Sequence, residues 1–174
     1  MLLTADVKPP LLLFTTLALF ACASGCERPV RTGGLQSLRP LEHVRAVRVI
    51  ESTLASRGVR IERNRRVRIA GARDIDCDVG IAGTRYCVEY VRGEERARLG
   101  SALPQRESPG ALVMVAGTDQ NAGASVLVFE DTDYLYEPDP DLAGPDHPTA
   151  GEVEDRLRRS VIDYVAWLRG RGAL

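Results

Sequence analysis

Carboxylates are the side chains of this sequence best placed to do chemistry. Asp74, Asp76 and Asp78 stand at every second position, and Glu130, Asp131, Asp133, Glu137, Asp139 and Asp141 crowd a later stretch. On an extended strand alternate side chains share a face about 7 Å apart, and hard cations such as calcium take oxygens so arranged. Asp74, Asp76, Asp78, Asp131 and Asp133 are therefore the candidate metal ligands. The calcium-loop pattern itself fails. Counted from Asp74, the sixth position is Val79 where glycine is needed, and the twelfth is Arg85 where glutamate is needed. A solvated acidic face beside arginines is the simpler expectation. Paired carboxylates also run acid–base hydrolysis when about 5–10 Å apart across a cleft, a distance that spacing along the chain does not supply.

Other catalytic chemistry finds few residues. The two histidines are His43, on the polar side of an expected helix, and His147, beside Asp146 in a proline-rich loop where solvation is the default. Neither stands near a nucleophile, and there is no Gly-x-Ser-x-Gly elbow, so no triad is legible and no catalytic residue is assigned. Lys8 is the sole lysine, which leaves the rest of the chain without a Schiff base. No cofactor-binding motif and no small-molecule cofactor are indicated. Tyr86, Tyr90, Tyr134, Tyr136, Tyr164 and Trp167 suit a binding surface, although core or rim is their commoner place.

The elements that must carry these residues follow from periodicity. Leu41, Val44, Val47, Ile50 and Leu54 recur every three or four positions before Gly58, which predicts a helix from Leu41 to about Arg57 with a basic outer face. Residues 59–62 and 66–70 alternate as short strands, followed by a pair at 75–81 and 85–91. Residues 112–116 and 125–130 read as a hairpin around the polar stretch Gly117 to Gly123, with 134–136 extending the last strand. Thr149 and Glu152 have capping-box spacing. They open a helix whose Val153, Leu157, Val161, Tyr164, Val165 and Leu168 share one face, and Gly170 closes it. The expectation is an α+β domain: an antiparallel sheet of about 4–6 strands with an N-terminal and a C-terminal helix packed on one face.

The first 26 residues have a different organisation. Lys8 and the terminal amine outweigh Asp6, a mostly apolar run extends from Leu11 to Gly25, and small residues follow. As a helix that run spans roughly 22 Å, short of a hydrocarbon core of about 30 Å, and the order of parts is that of a secretory signal. Ala23-Ser24-Gly25-Cys26 resembles the lipobox of bacterial lipoproteins, with Ala23 where leucine is usual. The resemblance covers the leader alone. It implies a diacylglyceryl group on Cys26, cleavage just before it, and attachment to a membrane surface outside the cytoplasm, where several buried acyl chains hold a protein stably. Glu27 is not the aspartate that retains some lipoproteins at the inner membrane, which favours the periplasmic face of the outer membrane. On this reading residues 1–25 are removed, 26–40 form a lipidated tether rich in Arg, Gly, Ser and Pro, and 41–174 form one domain.

With Cys22 removed and Cys26 acylated, Cys77 and Cys87 are the remaining thiols in an oxidising compartment, and a disulfide between them is expected. Their register conflicts with the pattern around them. Residues 74–79 alternate so that Ile75, Cys77 and Val79 share one face and three aspartates the other. A two-residue turn at Ala82-Gly83 pairs Cys77 with Val88. A three-residue loop ending at Gly83 sets Cys77 opposite Cys87 but puts Arg85 and Glu89 beside apolar residues. A bulge reconciles them.

The formal charge of −1 hides an asymmetry: residues 27–73 carry 12 Arg against 4 acids, residues 74–150 carry 5 Arg against 15, and residues 151–174 carry 5 against 4. Either the basic part lies on anionic headgroups or, more simply, the two parts fold together and screen each other. Nucleic acid is disfavoured as a partner. The functional expectation is a lipid-anchored, non-enzymatic envelope module whose sheet face or acidic loop contacts an envelope protein or ligand. The alternative is an envelope hydrolase using carboxylates or a divalent cation, which requires acids converging in a concave pocket with raised pKa values.

Overall fold

The computed structural model describes residues 38–106, 108 and 110–174. The leader, the lipobox with Cys26 and the tether as far as residue 37 lie outside them. In chain order the elements are β1 (Arg39–Pro40), α1 (His43–Ser56), β2 (Ile61–Glu62), β3 (Arg65–Ile69), β4 (Arg73–Cys77), β5 (Val79–Ile81), β6 (Tyr86–Val91), α2 (Gly93–Leu99), β7 (Val113–Ala116), β8 (Ser125–Glu130), β9 (Leu135–Tyr136) and α3 (Ala150–Gly170). Among the described residues no helix is long and apolar enough to cross a membrane.

Strands rich in Val, Leu, Phe and Tyr assemble the central sheet in the order β2-β5-β6-β8-β7. The α+β class with terminal helices on one face is what the structure has, and the strand number falls in the expected range. The pairing is mixed, however: β6 and β8 run parallel, from Tyr86 opposite Ser125 to Val91 opposite Glu130, while the other neighbours are antiparallel. Parallel strands are characteristically covered on both faces, and so are these. Val88, Tyr90, Leu127 and Phe129 point into a core shared with α1 and α3. Cys87, Val91, Val126 and Val128 point the other way, into a core shared with the β3–β4 hairpin, Leu99 of α2 and Leu103.

The hairpin follows from charge as much as from apolar alternation. Val67, Ile69, Ile75 and Cys77 face the sheet, and the outward residues are set in opposite-sign pairs directly across the ladder, Arg66 with Asp76 and Arg68 with Asp74. Such pairs favour this register, although solvent screens them. The turn between the strands takes Gly71 and Ala72 through positive φ. The two oppositely charged stretches of sequence therefore meet across one hairpin, and Arg45 with Glu154 joins the basic stretch to α3 in the same way.

α3 buries the six residues its spacing selects. Its capping box is complete: the Thr149 N–H donates to Glu152 Oε2 at 2.8 Å, and the Glu152 N–H donates to Thr149 Oγ1 at 3.3 Å. The Thr149 N–H and, at 2.9 Å, the Thr149 hydroxyl both donate to Glu152 Oε2 and hold that carboxyl below its usual range, while the cap satisfies N–H groups that a helix start leaves open.

α1 departs from expectation in its facing. Its buried residues are Ala46, Val49, Ile50, Thr53 and Leu54, while Val44 is 68% exposed and Val47 only partly covered. Counting the small Ala46 and the Thr53 methyl as core rotates the stripe by about one residue. It leaves two valines beside the solvent-facing polar residues.

The aromatic side chains are core and rim. Tyr90, Tyr134 and Tyr164 are buried, with the Tyr134 ring in contact with those of Tyr90 and Phe129, and Tyr86, Tyr136 and Trp167 border the same core.

Candidate functional site

The strand run expected across residues 75–81 is broken at Asp78. β4 ends at Cys77, opposite Arg65, and β5 begins at Val79, opposite Val88. Asp78 belongs to neither ladder, which is how Cys77 enters one core and Val79 the other. Neither register considered for the cysteines is the one adopted, since Gly80 is the partner of Cys87. Cys77 reaches Cys87 from the adjoining hairpin, the two being disulfide-bonded with Cα atoms 6.1 Å apart.

Side chains replace the interrupted ladder. The Asp78 N–H donates to Glu89 Oε2 at 2.7 Å, and Asp78 Oδ2 accepts from the Tyr90 N–H at 2.8 Å. Glu89 therefore sits on the same face of β6 as Cys87 and Val91, only 3% exposed. Burial, with the charges of Asp78 and Glu95 adding to it, pushes its carboxyl up to about 9. At neutral pH Glu89 keeps its proton and shares a hydrogen bond with Glu95, which in turn accepts from Arg98 at 2.9 Å. Burial also raises Asp78, opposed by the Tyr90 N–H and by His43.

His43, the first residue of α1, completes the cluster. Its Nε2 lies 2.9 Å from Asp78 Oδ1, with the imidazole side chain 35% exposed. Beneath it the Tyr90 ring lies 6.2 Å away and donates its hydroxyl to the Leu41 carbonyl at 3.1 Å, fixing the entry to the helix.

The His43–Asp78 pair opens into a groove of about 970 Å³ between α1 and the β3–β4 hairpin. Val44 and Val47 line its helical wall. Its carboxylates are matched: Glu51 with Arg63 at 2.8 Å, Asp76 with Arg66, and Asp78 with His43. Arg48 lines the same wall with none of these groove carboxylates as its ion-pair partner among the described residues.

The structure does not bring the five candidate metal ligands together. Asp74 and Asp76 pair with Arg68 and Arg66. Asp78 turns to His43, Asp131 accepts from the Gly93 N–H at 3.1 Å at the start of α2, and Asp133 pairs with Arg106 at 2.7 Å. Among the described residues no three His, Cys, Asp or Glu side chains form a metal-holding group. The rest of the acidic stretch braces local structure. Glu130 lies 3.4 Å from Arg96, Glu137 Oε1 accepts from the Asp139 N–H, and Asp139 accepts from the Asp141 N–H. His147 Nδ1 stands 3.5 Å from Glu137 Oε2.

Glu89, Glu95 and Arg48 were not singled out by sequence patterns. A signal existed for Glu89, a single acid inside the apolar run Tyr-Cys-Val-Glu-Tyr-Val. A charge there is either outward on a half-exposed strand or buried and partnered, and only the covering of both sheet faces decides between them.

No family model, no curated protein and no solved structure matches this chain.

Proposed function

We propose that this chain is the precursor of an envelope lipoprotein, held on a membrane surface through Cys26, whose domain binds a carboxylate-bearing segment of an envelope polypeptide in the groove beside α1. The address is supported by the order of parts in the leader and by the pairing of Cys77 with Cys87. The binding reading is carried by one observation: Val44, 68% exposed, and Val47 stand next to Arg48 on the wall of a 970 Å³ groove. A guanidinium next to apolar surface suits a chain end with an apolar side chain, because a planar fork can take both oxygens of a carboxylate. The matched charges elsewhere in the groove favour neither sign of ligand, which makes Arg48 the discriminating contact.

The test uses acetyl-Ala-Val as free acid and as C-terminal amide, titrated into the full chain in detergent and followed by NMR. The free acid is expected to bind at least tenfold more tightly, with the largest shifts at Val44 and Val47, and Arg48→Met is expected to abolish the difference. Equal binding of acid and amide, or shifts away from α1, contradicts the reading.

A further inference from the structure

We propose that the groove is hydrolytic: His43, oriented by Asp78, takes a proton from a water that attacks an ester or amide carbon of a ligand whose carboxylate Arg48 holds. This rests on the groove being a carboxylate-binding site, as proposed above, and adds a reaction to it.

The tautomer follows from the geometry. With Asp78 Oδ1 2.9 Å from Nε2, the neutral tautomer that this contact selects donates its Nε2–H to Asp78, and Nδ1 is the ring nitrogen that can accept a proton. Asp78 is fixed at both ends of the residue, its N–H on Glu89 and its second oxygen under the Tyr90 N–H. Asp78 is thus the carboxyl group that faces the imidazole, with Glu89 behind it on the Asp78 N–H. This is the arrangement in which a carboxylate holds one tautomer and stabilises the imidazolium that forms.

Among the described residues lining the groove there is no serine, no threonine and no free thiol, since Cys77 is disulfide-bonded. The nucleophile is therefore water. Its oxygen bonds to the acyl carbon while its proton passes to His43 Nδ1. Asn64, which also lines the groove, is assigned as the neutral donor for the oxyanion. Collapse breaks the bond to the leaving oxygen or nitrogen, which receives the proton from His43. Water is consumed, and an acid and an alcohol or amine are released, with no further reactant. Arg48 stands five residues after His43 on one helix, about 7.5 Å along its axis at 1.5 Å per residue. Both line the same groove, so the substrates are acyl compounds that carry a carboxylate several bonds from the scissile bond.

The detergent-extracted full chain is assayed with p-nitrophenyl hydrogen adipate against p-nitrophenyl hexanoate, which differ in the distal carboxylate. The expected kcat/KM is at least tenfold higher for the adipate ester. Arg48→Met should erase that preference through KM. His43→Gln, at a half-buried position, should lower kcat at least 100-fold with KM within threefold. Asp78→Asn, at a positioning residue, should lower kcat and displace the pH profile, and His147→Gln should change nothing, which controls for adventitious imidazole reactivity. Turnover that is absent, or unaffected by His43→Gln, overturns the proposal. If turnover is absent while acetyl-Ala-Val still binds at Val44, hydrolysis falls and the binding site stands; if the peptide does not bind there either, both fall.

Discussion

Glu89→Gln is expected to stabilise this protein at pH 7, on the order of 3 kcal/mol, although it removes a buried hydrogen-bonded acid. An acid whose carboxyl is pushed from 4.5 up to about 9 on folding carries a proton in the folded state that the unfolded state has lost. Its contribution is fully present below about pH 4.5 and is lost as pH rises towards 9, at about 1.4 kcal/mol per pH unit. Asp78, raised in the same direction by burial, adds to the slope. Glutamine keeps an acceptor for the Asp78 N–H, offers Glu95 a donor and has nothing to titrate. Urea midpoints of the two proteins should agree near pH 4.5 and separate progressively up to pH 9. Glu89→Ala, which orphans the Asp78 N–H, should not reproduce the gain. Parallel curves for wild type and Glu89→Gln across that range would show that Glu89 is not held protonated.

Reduction of Cys77–Cys87 is the second large effect. The bond joins the hairpin to the central strand of the sheet across ten positions of sequence, and closing a loop of that length stabilises by about 3 kcal/mol in the chain-entropy view. For a domain of this size that is a fall in Tm of roughly 10 °C on adding reductant. A Cys77→Ala, Cys87→Ala double variant should start near the lower value and no longer respond to reductant. Because Cys77 precedes Asp78 directly, the double variant should also loosen the His43 contact, visible as faster exchange of the Tyr90 amide. A wild-type Tm indifferent to reductant, with both thiols then open to alkylation, would remove the bridge from the stability account.

What the sequence shows and what it hides divide along physical lines. α3 was legible to the residue because twenty-one positions of one period, a capping box and a closing glycine all agree. The β7–β8 hairpin was legible because its strands are joined by one polar loop. α2 was not: seven residues with Leu99 as their one buried side chain give no period to read, and its first N–H is satisfied by Asp131, 38 positions away. The parallel pairing of β6 with β8 was hidden for a related reason, since alternation specifies the face of a residue and not the neighbour of a strand. Of the candidate site, Asp78 and the histidine at the start of α1 were on view as separate residues. Their meeting depends on the strand break at Asp78 and on the rotation of α1 that exposes Val44, and both are decided by contacts distant in sequence. The five proposed metal ligands illustrate the converse. Their spacing is real, but other partners claim them first: the arginines opposite Asp74 and Asp76 in register, His43 at Asp78, Arg106 at Asp133 and, for Asp131, the start of α2.

The most direct test of the whole account is the intact mass of the protein extracted from membranes, measured with and without reduction and alkylation. The expected product is a chain beginning at Cys26, heavier by its acyl groups, with two alkylatable cysteines that appear only after reduction. A chain retaining Met1 with no added mass and thiols reactive from the start would contradict it. It would remove both the envelope address and the oxidised Cys77–Cys87 bridge on which the reading of the domain depends.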